Sequence, residues 1–185
     1  VDVNPFLVWL GGMKVGWYGA GGVAGLLDVV SRLGGGGGWE PTMRNLDRWW
    51  TPRVRGVLGA MLGEAERSGG LVGELVRVVL CRTLIACSGA AFNHPSMSFR
   101  REGARDLTVD EVVGQARRDA EVVAGTLLGN PVGSARVVQG DARDLAGVGT
   151  GTVDVLVTSP PYANRMSYVR ELRPYMYWLG YLREA

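Results

Sequence analysis

Apolar residues repeat at helical spacing along much of the chain. In the ranges 53–66 and 71–92 they recur at i, i+3 and i+4, which predicts two amphipathic helices separated by the breaker pair 69–70. A third helix is predicted over 108–128. Beyond residue 134 the pattern changes to short apolar runs rich in β-branched residues, which predict strands.

Two of the predicted helices carry N-terminal signals. Asn4 followed by Pro5 predicts a helix that begins at the proline, with the asparagine as its N-cap. Thr108 with Glu111 three residues later predicts a capping box at the start of the 108–128 helix. These signals place two helix starts from neighbouring residues alone.

The run 153–157 is the strongest strand prediction. It is apolar and β-branched, which is typical of a buried strand in a parallel sheet. Pro160 and Pro161 follow shortly after, and they end a strand because they donate no ladder hydrogen bond. Open α/β sheets bind their ligands at such strand ends. There, Ser159 and the Pro160 carbonyl could accept hydrogen bonds from an exocyclic amine, and Tyr162 could stack on a planar base.

Two carboxylates also follow strand-like stretches. Asp2 lies at a predicted strand end, and Asp141 ends the predicted strand 135–141. In nucleotide-binding α/β folds, a carboxylate at a strand end accepts hydrogen bonds from ribose hydroxyls. A local role is the alternative for each, because Asp2 could favour the following helix through its dipole and Asp141 could cap a helix.

The composition of the chain limits the classes of function that it can have. The 185 residues carry a net charge of only +2, which gives no overall basic field, and nearly half of them are apolar. Cys81 and Cys87 lie in an apolar helical run and are predicted to be buried. His94 is the only histidine and has no ligand partner at metal spacing, so no metal site is expected. No basic leader is visible, and charges interrupt the apolar run 71–87, so a cytoplasmic protein without a membrane span is expected.

Two stretches of the helical region have alternative interpretations. The adjacent Trp49 and Trp50 predict a core anchor, with a wedge or stacking platform for nucleic acid as the alternative. The stretch 93–101 is polar and ends in Arg100 and Arg101. It suits either phosphate contacts or a solvated connector.

The strand followed by Ser-Pro-Pro-Tyr at 159–162 resembles the catalytic motif of DNA amino-methyltransferases. These enzymes methylate the amino group of cytosine or adenine with S-adenosylmethionine. The longer run 158–180 is similar to a group of bacterial DNA modification methylases. The resemblance implies an α/β fold, namely a partial Rossmann-like methyltransferase sheet with a helical insertion. Ser159 in the first motif position favours cytosine N4 as the target, with adenine N6 as the alternative.

The resemblance also implies roles for individual residues and partners. DNA is the expected partner, with a cognate restriction nuclease as a further one. A non-catalytic nucleic-acid-binding module is the competing class. The implied site residues are Ser159, Pro160, Pro161 and Tyr162 for catalysis, Asp2 (ribose), Asp141 (adenine amine) and Thr158 for the cofactor, and Asn164, Arg165 and Arg170 for the substrate.

Four segments are expected along the chain. They are the start of a cofactor-binding region (1–33), a glycine-rich linker (34–44), a helical insertion that could contact DNA (45–130) and a catalytic region (131–185). The family's glycine-rich cofactor turn does not precede Asp2, and the glycine run in the linker lacks a preceding strand. Both chain ends look cut, so we expect a part of a longer enzyme.

Overall fold

The computed structural model describes residues 1–91, 98–127, 129, 133–145, 147–158 and 168–183, without the side chains of 168–170. This part of the chain is mainly helical. Its helices are α1 (Pro5–Val15), α2 (Gly19–Ser31), α3 (Leu46–Trp49), α4 (Pro52–Ser68), α5 (Gly70–Ala86), α6 (Val109–Leu127) and α7 (Tyr168–Trp178). The strands described are β1 (Ala90–Ala91) and β2 (Ser98–Phe99), which pair antiparallel.

α1 begins at Pro5, as the sequence predicts. Asn4 caps α1 through its side chain, which accepts a hydrogen bond from the Phe6 amide. Gly69 (φ 57°) and Gly70 (φ 47°) have left-handed backbone conformations that favour glycine, and they separate α4 from α5. The helix predicted over 71–92 ends earlier than expected, at Ala86.

The core lies between α2, α4, α5 and α6, which pack on one another. Leu58 of α4, Leu80 and Leu84 of α5 and Val112 of α6 are buried there. Trp178 of α7 joins the same core and is fully buried. The amphipathic helices therefore satisfy one another's apolar faces without a sheet.

The predicted α/β fold with a Rossmann-like sheet is wrong. The run 153–157 forms no strand, and its side chains are exposed, with 76% of Leu156 and 89% of Val157 accessible. A parallel strand needs hydrogen-bonded neighbours and apolar layers on both faces. Here the helices bury their apolar faces on each other, and no described strand lies beside the run.

One parallel pairing does occur in the described part of the chain. It is an isolated bridge between Asp2 and Gln139, where the sequence predicts two strand ends. Val137 packs close to Gly11 of α1, so the bridged segment lies over that helix. The predicted strand 135–141 is thus reduced to a single ladder position.

The glycine-rich segment lies against α4. A Cβ atom on Gly38 would lie 2.4 Å from the carbonyl carbon of Gly59, and one on Gly59 would lie 2.7 Å from the carbonyl oxygen of Trp39. Only glycine at both positions permits this approach. The contact fixes the path of the chain and brings Trp39 close to α7, where its ring meets Trp178.

Candidate functional site

The pairing near the N-terminus brings together two of the predicted cofactor residues. The Asp2 amide donates to the Val138 carbonyl over 3.1 Å, and the Gly140 amide donates to the Asp2 carbonyl over 3.0 Å. Asp141 directly follows Gly140 in the chain. Asp2 and Asp141 are therefore neighbours in space although they lie far apart in the sequence.

The carboxylate of Asp2 makes a local hydrogen bond. Its Oδ1 accepts a hydrogen bond from the Asn4 amide over 2.8 Å. The Asn4 side chain in turn accepts one from the Phe6 amide over 2.9 Å. The two bonds fix the turn that leads into α1. Asp2 therefore fixes the turn before α1 through a hydrogen bond, and no described residue donates to its second oxygen.

The carboxylate of Asp141 is held by Arg143. The Arg143 amide donates to Oδ1 over 2.9 Å, and the guanidinium donates to both oxygens. Hydrogen bonds from the Arg143 side chain, and then from its amide, lower the pKa of Asp141 below its usual value. Asp141 is therefore an exposed, charged acceptor. A ligand amine would have to displace the Arg143 side chain to reach it.

The predicted catalytic loop lies outside the described residues, and so do two of the predicted substrate residues. Thr158 is exposed and ends the described stretch that precedes the loop. Arg170 belongs to α7. The predicted site residues that lie outside the described part of the chain are Ser159, Pro160, Pro161, Tyr162, Asn164 and Arg165.

The tryptophan pair is a core anchor. Trp49 and Trp50 are buried, with ring centroids 5.3 Å apart. The Trp50 indole donates to the Leu84 carbonyl over 2.8 Å, so its polar atom is satisfied inside the protein. Neither ring is available as a wedge or stacking platform.

Arg100 and Arg101 are exposed at the surface.

Both cysteines are buried, as predicted. Burial raises the pKa of Cys81 to about 12 and that of Cys87 to about 11. Both are therefore neutral thiols at physiological pH, and neither is an activated nucleophile. Within the described ranges, no three histidine, cysteine, aspartate or glutamate side chains come together as a metal site.

A polar pocket of about 510 Å³ lies where α7 and the segment after it meet α4, α5 and the glycine-rich segment. We call it the tryptophan pocket. The sequence analysis missed it, because its residues come from four separate stretches of the chain. Its lining residues are Trp39, Pro41, Thr42, Leu62, Glu66, Arg77, Trp178, Leu179, Gly180, Leu182 and Arg183.

Two residues that line the tryptophan pocket each carry a hydrogen-bond donor with no acceptor among the described residues. The donors are Nε of Arg77 and Nε1 of Trp178, and both atoms are buried. Arg77 also lies beside Glu74, with its Nε 4.0 Å from a carboxylate oxygen, which is too far for a hydrogen bond. Buried donors without acceptors are rare in folded proteins and require an explanation.

A larger cavity of about 880 Å³ lies between α1, α5, α6 and α7. Apolar side chains such as Leu10, Val78 and Ile85 form most of its lining. Asp119 also lines this cavity. It is buried and paired with Arg82. The polar group is thus already satisfied from within the protein.

Comparisons with known proteins do not extend this description. No protein-family model, no curated protein and no solved structure matches the chain. Within the described ranges, no helix has both the length and the apolar character required to cross a bilayer.

Proposed function

We propose that this chain is part of an S-adenosylmethionine-dependent DNA methyltransferase that modifies the exocyclic amine of a flipped base, with cytosine N4 favoured over adenine N6. The observation that carries the proposal is the backbone pairing of Asp2 with Val138 and Gly140. It sets Asp2 and Asp141 beside each other, and these are the carboxylates that the resemblance assigns to the cofactor. The Ser-Pro-Pro-Tyr sequence at 159–162 supports the same function.

The two carboxylates suit the donors of a nucleoside. Asp2 has an oxygen that takes no donor from the described residues and can accept from ribose hydroxyls, and Asp141 can accept from an adenine amine once the Arg143 side chain leaves it. When bound, S-adenosylmethionine would supply the methyl group and leave as the neutral thioether, and the methylated amine would lose one proton to solvent. In this proposal, residues of the chain itself supply the rate enhancement.

An exocyclic amine is a poor nucleophile because its lone pair is conjugated with the ring. In the proposed mechanism, Ser159 and the Pro160 carbonyl accept hydrogen bonds from the amine protons and favour a pyramidal nitrogen, which frees the lone pair. Tyr162 stacks on the flipped base and holds it in position. Positioning and electrostatic stabilisation supply the rate enhancement, and no covalent enzyme intermediate is needed.

The second candidate is a non-catalytic nucleic-acid-binding module. The observation that favours it is the Arg143 guanidinium, which occupies the Asp141 carboxylate that a cofactor would need.

Under the first proposal, DNA is the substrate, a cognate restriction nuclease is a further partner, and the location is cytoplasmic.

Methyl transfer by the enzyme that contains this chain tests the catalytic loop. Tyr162→Ala should weaken binding of the flipped base by about 1–3 kcal/mol, the contribution of one aromatic stack. Tyr162→Phe is the matched control and should stay close to the parent, since it keeps the ring. Ser159→Ala should slow single-turnover transfer more than it weakens DNA affinity, because its hydrogen bond matters most as the nitrogen becomes pyramidal.

A cofactor measurement completes this experiment. Asp141→Asn should raise the Kd for S-adenosylmethionine in calorimetry and leave the DNA affinity at the parental value. If Tyr162→Ala transfers methyl groups at the parental rate with parental affinity, the function proposal fails. DNA binding by the parent protein without measurable binding of S-adenosylmethionine would count in favour of the non-catalytic module.

A further inference from the structure

Two residues that line the tryptophan pocket carry buried hydrogen-bond donors without an acceptor among the described residues. Trp178 is fully buried, and its indole N–H has no acceptor among the described residues; the same is true of Nε of Arg77. Leaving such a donor unsatisfied in the interior is costly, because its hydration is lost without replacement. Trp178 has no exposed surface, so its donor is closed to a ligand, whereas the Arg77 side chain is 30% exposed and lines the pocket.

The charges around the pocket favour an oxyanion. Arg77 and Arg183 line it, whereas Glu66 is the one carboxylate lining it in the described part of the chain. Glu74, beside Arg77, accepts a hydrogen bond from the Trp9 indole and does not line the pocket. Two guanidinium groups with planar donor sets suit a phosphate group.

Trp39 adds an exposed aromatic side chain to the lining of the pocket. Its ring meets Trp178 edge to face, with centroids 6.3 Å apart and an interplanar angle of 84°. Even so, 55% of Trp39 is exposed, which is unusual for a residue that buries so much area in most folds. An exposed indole beside phosphate donors is the combination with which proteins hold unpaired nucleotides, since the base stacks while the phosphate is neutralised.

We propose that the tryptophan pocket binds one nucleotide of single-stranded DNA, with its phosphate on Arg77 and Arg183 and its base stacked on Trp39. The strand must be unpaired at this nucleotide because a base within a duplex is already stacked on its neighbours. The choice of DNA rests on the proposed function, and the pocket then names a place where the substrate strand is held. The test measures binding without methyl transfer, so each proposal can fail without the other.

Fluorescence anisotropy of a labelled oligo-dT strand of about ten nucleotides tests the pocket on the whole 185-residue chain. Trp39→Ala should weaken binding by about fivefold or more, the loss expected for one base stack. Trp17→Ala is the matched control, since Trp17 is 77% exposed and lies outside the pocket, and it should bind like the parent. Equal affinities of the two variants would overturn the proposal.

Charge variants test the phosphate contact. Arg183→Gln should reduce the slope of log affinity against log salt by about 0.7, the value for one phosphate contact on a single strand. Arg173→Gln removes the same charge from an exposed position of α7 outside the pocket and should leave the slope unchanged. Glu66→Gln should strengthen binding, because it removes the carboxylate that repels the phosphate. A weaker complex with Glu66→Gln would contradict this arrangement.

Two further ligands separate nucleic acid from free phosphate. An abasic strand with the same number of phosphates should bind more weakly than oligo-dT to the parent and equally weakly to Trp39→Ala. Inorganic phosphate at the same phosphate concentration should not displace the strand. Equal affinity of the abasic strand, or displacement by inorganic phosphate, would show a phosphate site without base recognition and would overturn the proposal.

Discussion

At the scale of single residues, Asp119 is the clearest polar anchor of the core. It is 4% exposed and accepts hydrogen bonds, each 3.1 Å long, from Arg82 Nε, Thr83 Oγ1 and Gln115 Nε2. A buried carboxylate is stable only when it is paired and hydrogen-bonded in this way. Asp119 therefore ties α6 to α5 at one position.

Asp119→Ala should lower the free energy of unfolding by about 2 kcal/mol. The reason is that Arg82, Thr83 and Gln115 each lose an acceptor, although the half-exposed Arg82 recovers part of the loss from water and the Thr83 hydroxyl can still donate to the Val79 carbonyl. Urea denaturation measures the change.

Glu121→Ala is the matched control for this substitution. Glu121 lies on the exposed face of the same helix, and its removal should change the free energy of unfolding by no more than about 0.5 kcal/mol. Equal urea midpoints for the two variants would mean that the Asp119 contacts do not stabilise the core.

At the scale of elements, the start of α6 shows how local signals define a helix. The Glu111 carboxylate accepts from the Thr108 amide over 2.7 Å, and the Thr108 hydroxyl accepts from the Glu111 amide over 3.2 Å. This is the capping box that the sequence predicts. The hydrogen bond from the Thr108 amide is the main cause that lowers the pKa of Glu111.

Thr108→Ala should destabilise the protein by about 1 kcal/mol, because the cap of α6 is lost. Thr108→Ser keeps the hydroxyl and should stay close to the parent. Since the pKa of Glu111 is lower in the folded chain than in the unfolded one, its contribution is present at neutral pH and is lost as the pH falls through the folded value. Thr108→Ala keeps the amide donor and loses only the hydroxyl donor, so thermal unfolding at several pH values should show the difference from the parent shrinking in acid by the hydroxyl's part alone.

At the scale of the whole molecule, the helices form the core and the run 153–157 stays outside it. Apolar character alone does not decide burial, because each apolar residue also needs a surface to pack against. Leu84 and Leu156 illustrate the contrast, since the first is fully buried in α5 and the second is 76% exposed.

The same substitution at these two leucines tests the architecture. Leu84→Ala should cost about 2–5 kcal/mol, because it leaves a cavity in the core. Leu156→Ala should change the free energy of unfolding by less than about 0.5 kcal/mol, because the side chain already contacts solvent. Chemical denaturation of both variants measures the difference, and a large loss for Leu156→Ala would mean that the run is buried after all.

The sequence by itself determined the local structure of the helical region. The N-cap at Asn4, the capping box at Thr108, the break at 69–70 and the burial of both cysteines are all confirmed. Each depends on residues within one or two helical turns, so the printed order of residues contains the necessary information.

Only the tertiary structure decided the remaining features. The run 153–157 has the composition of a buried strand, but strand formation depends on distant partners, and here the helices cover one another instead. The meeting of Asp2 with the segment before Asp141, and of Trp39 with Trp178, likewise joins stretches far apart in the chain. A local pattern cannot predict such contacts, because their free energy comes from surfaces that exist only after the chain has folded.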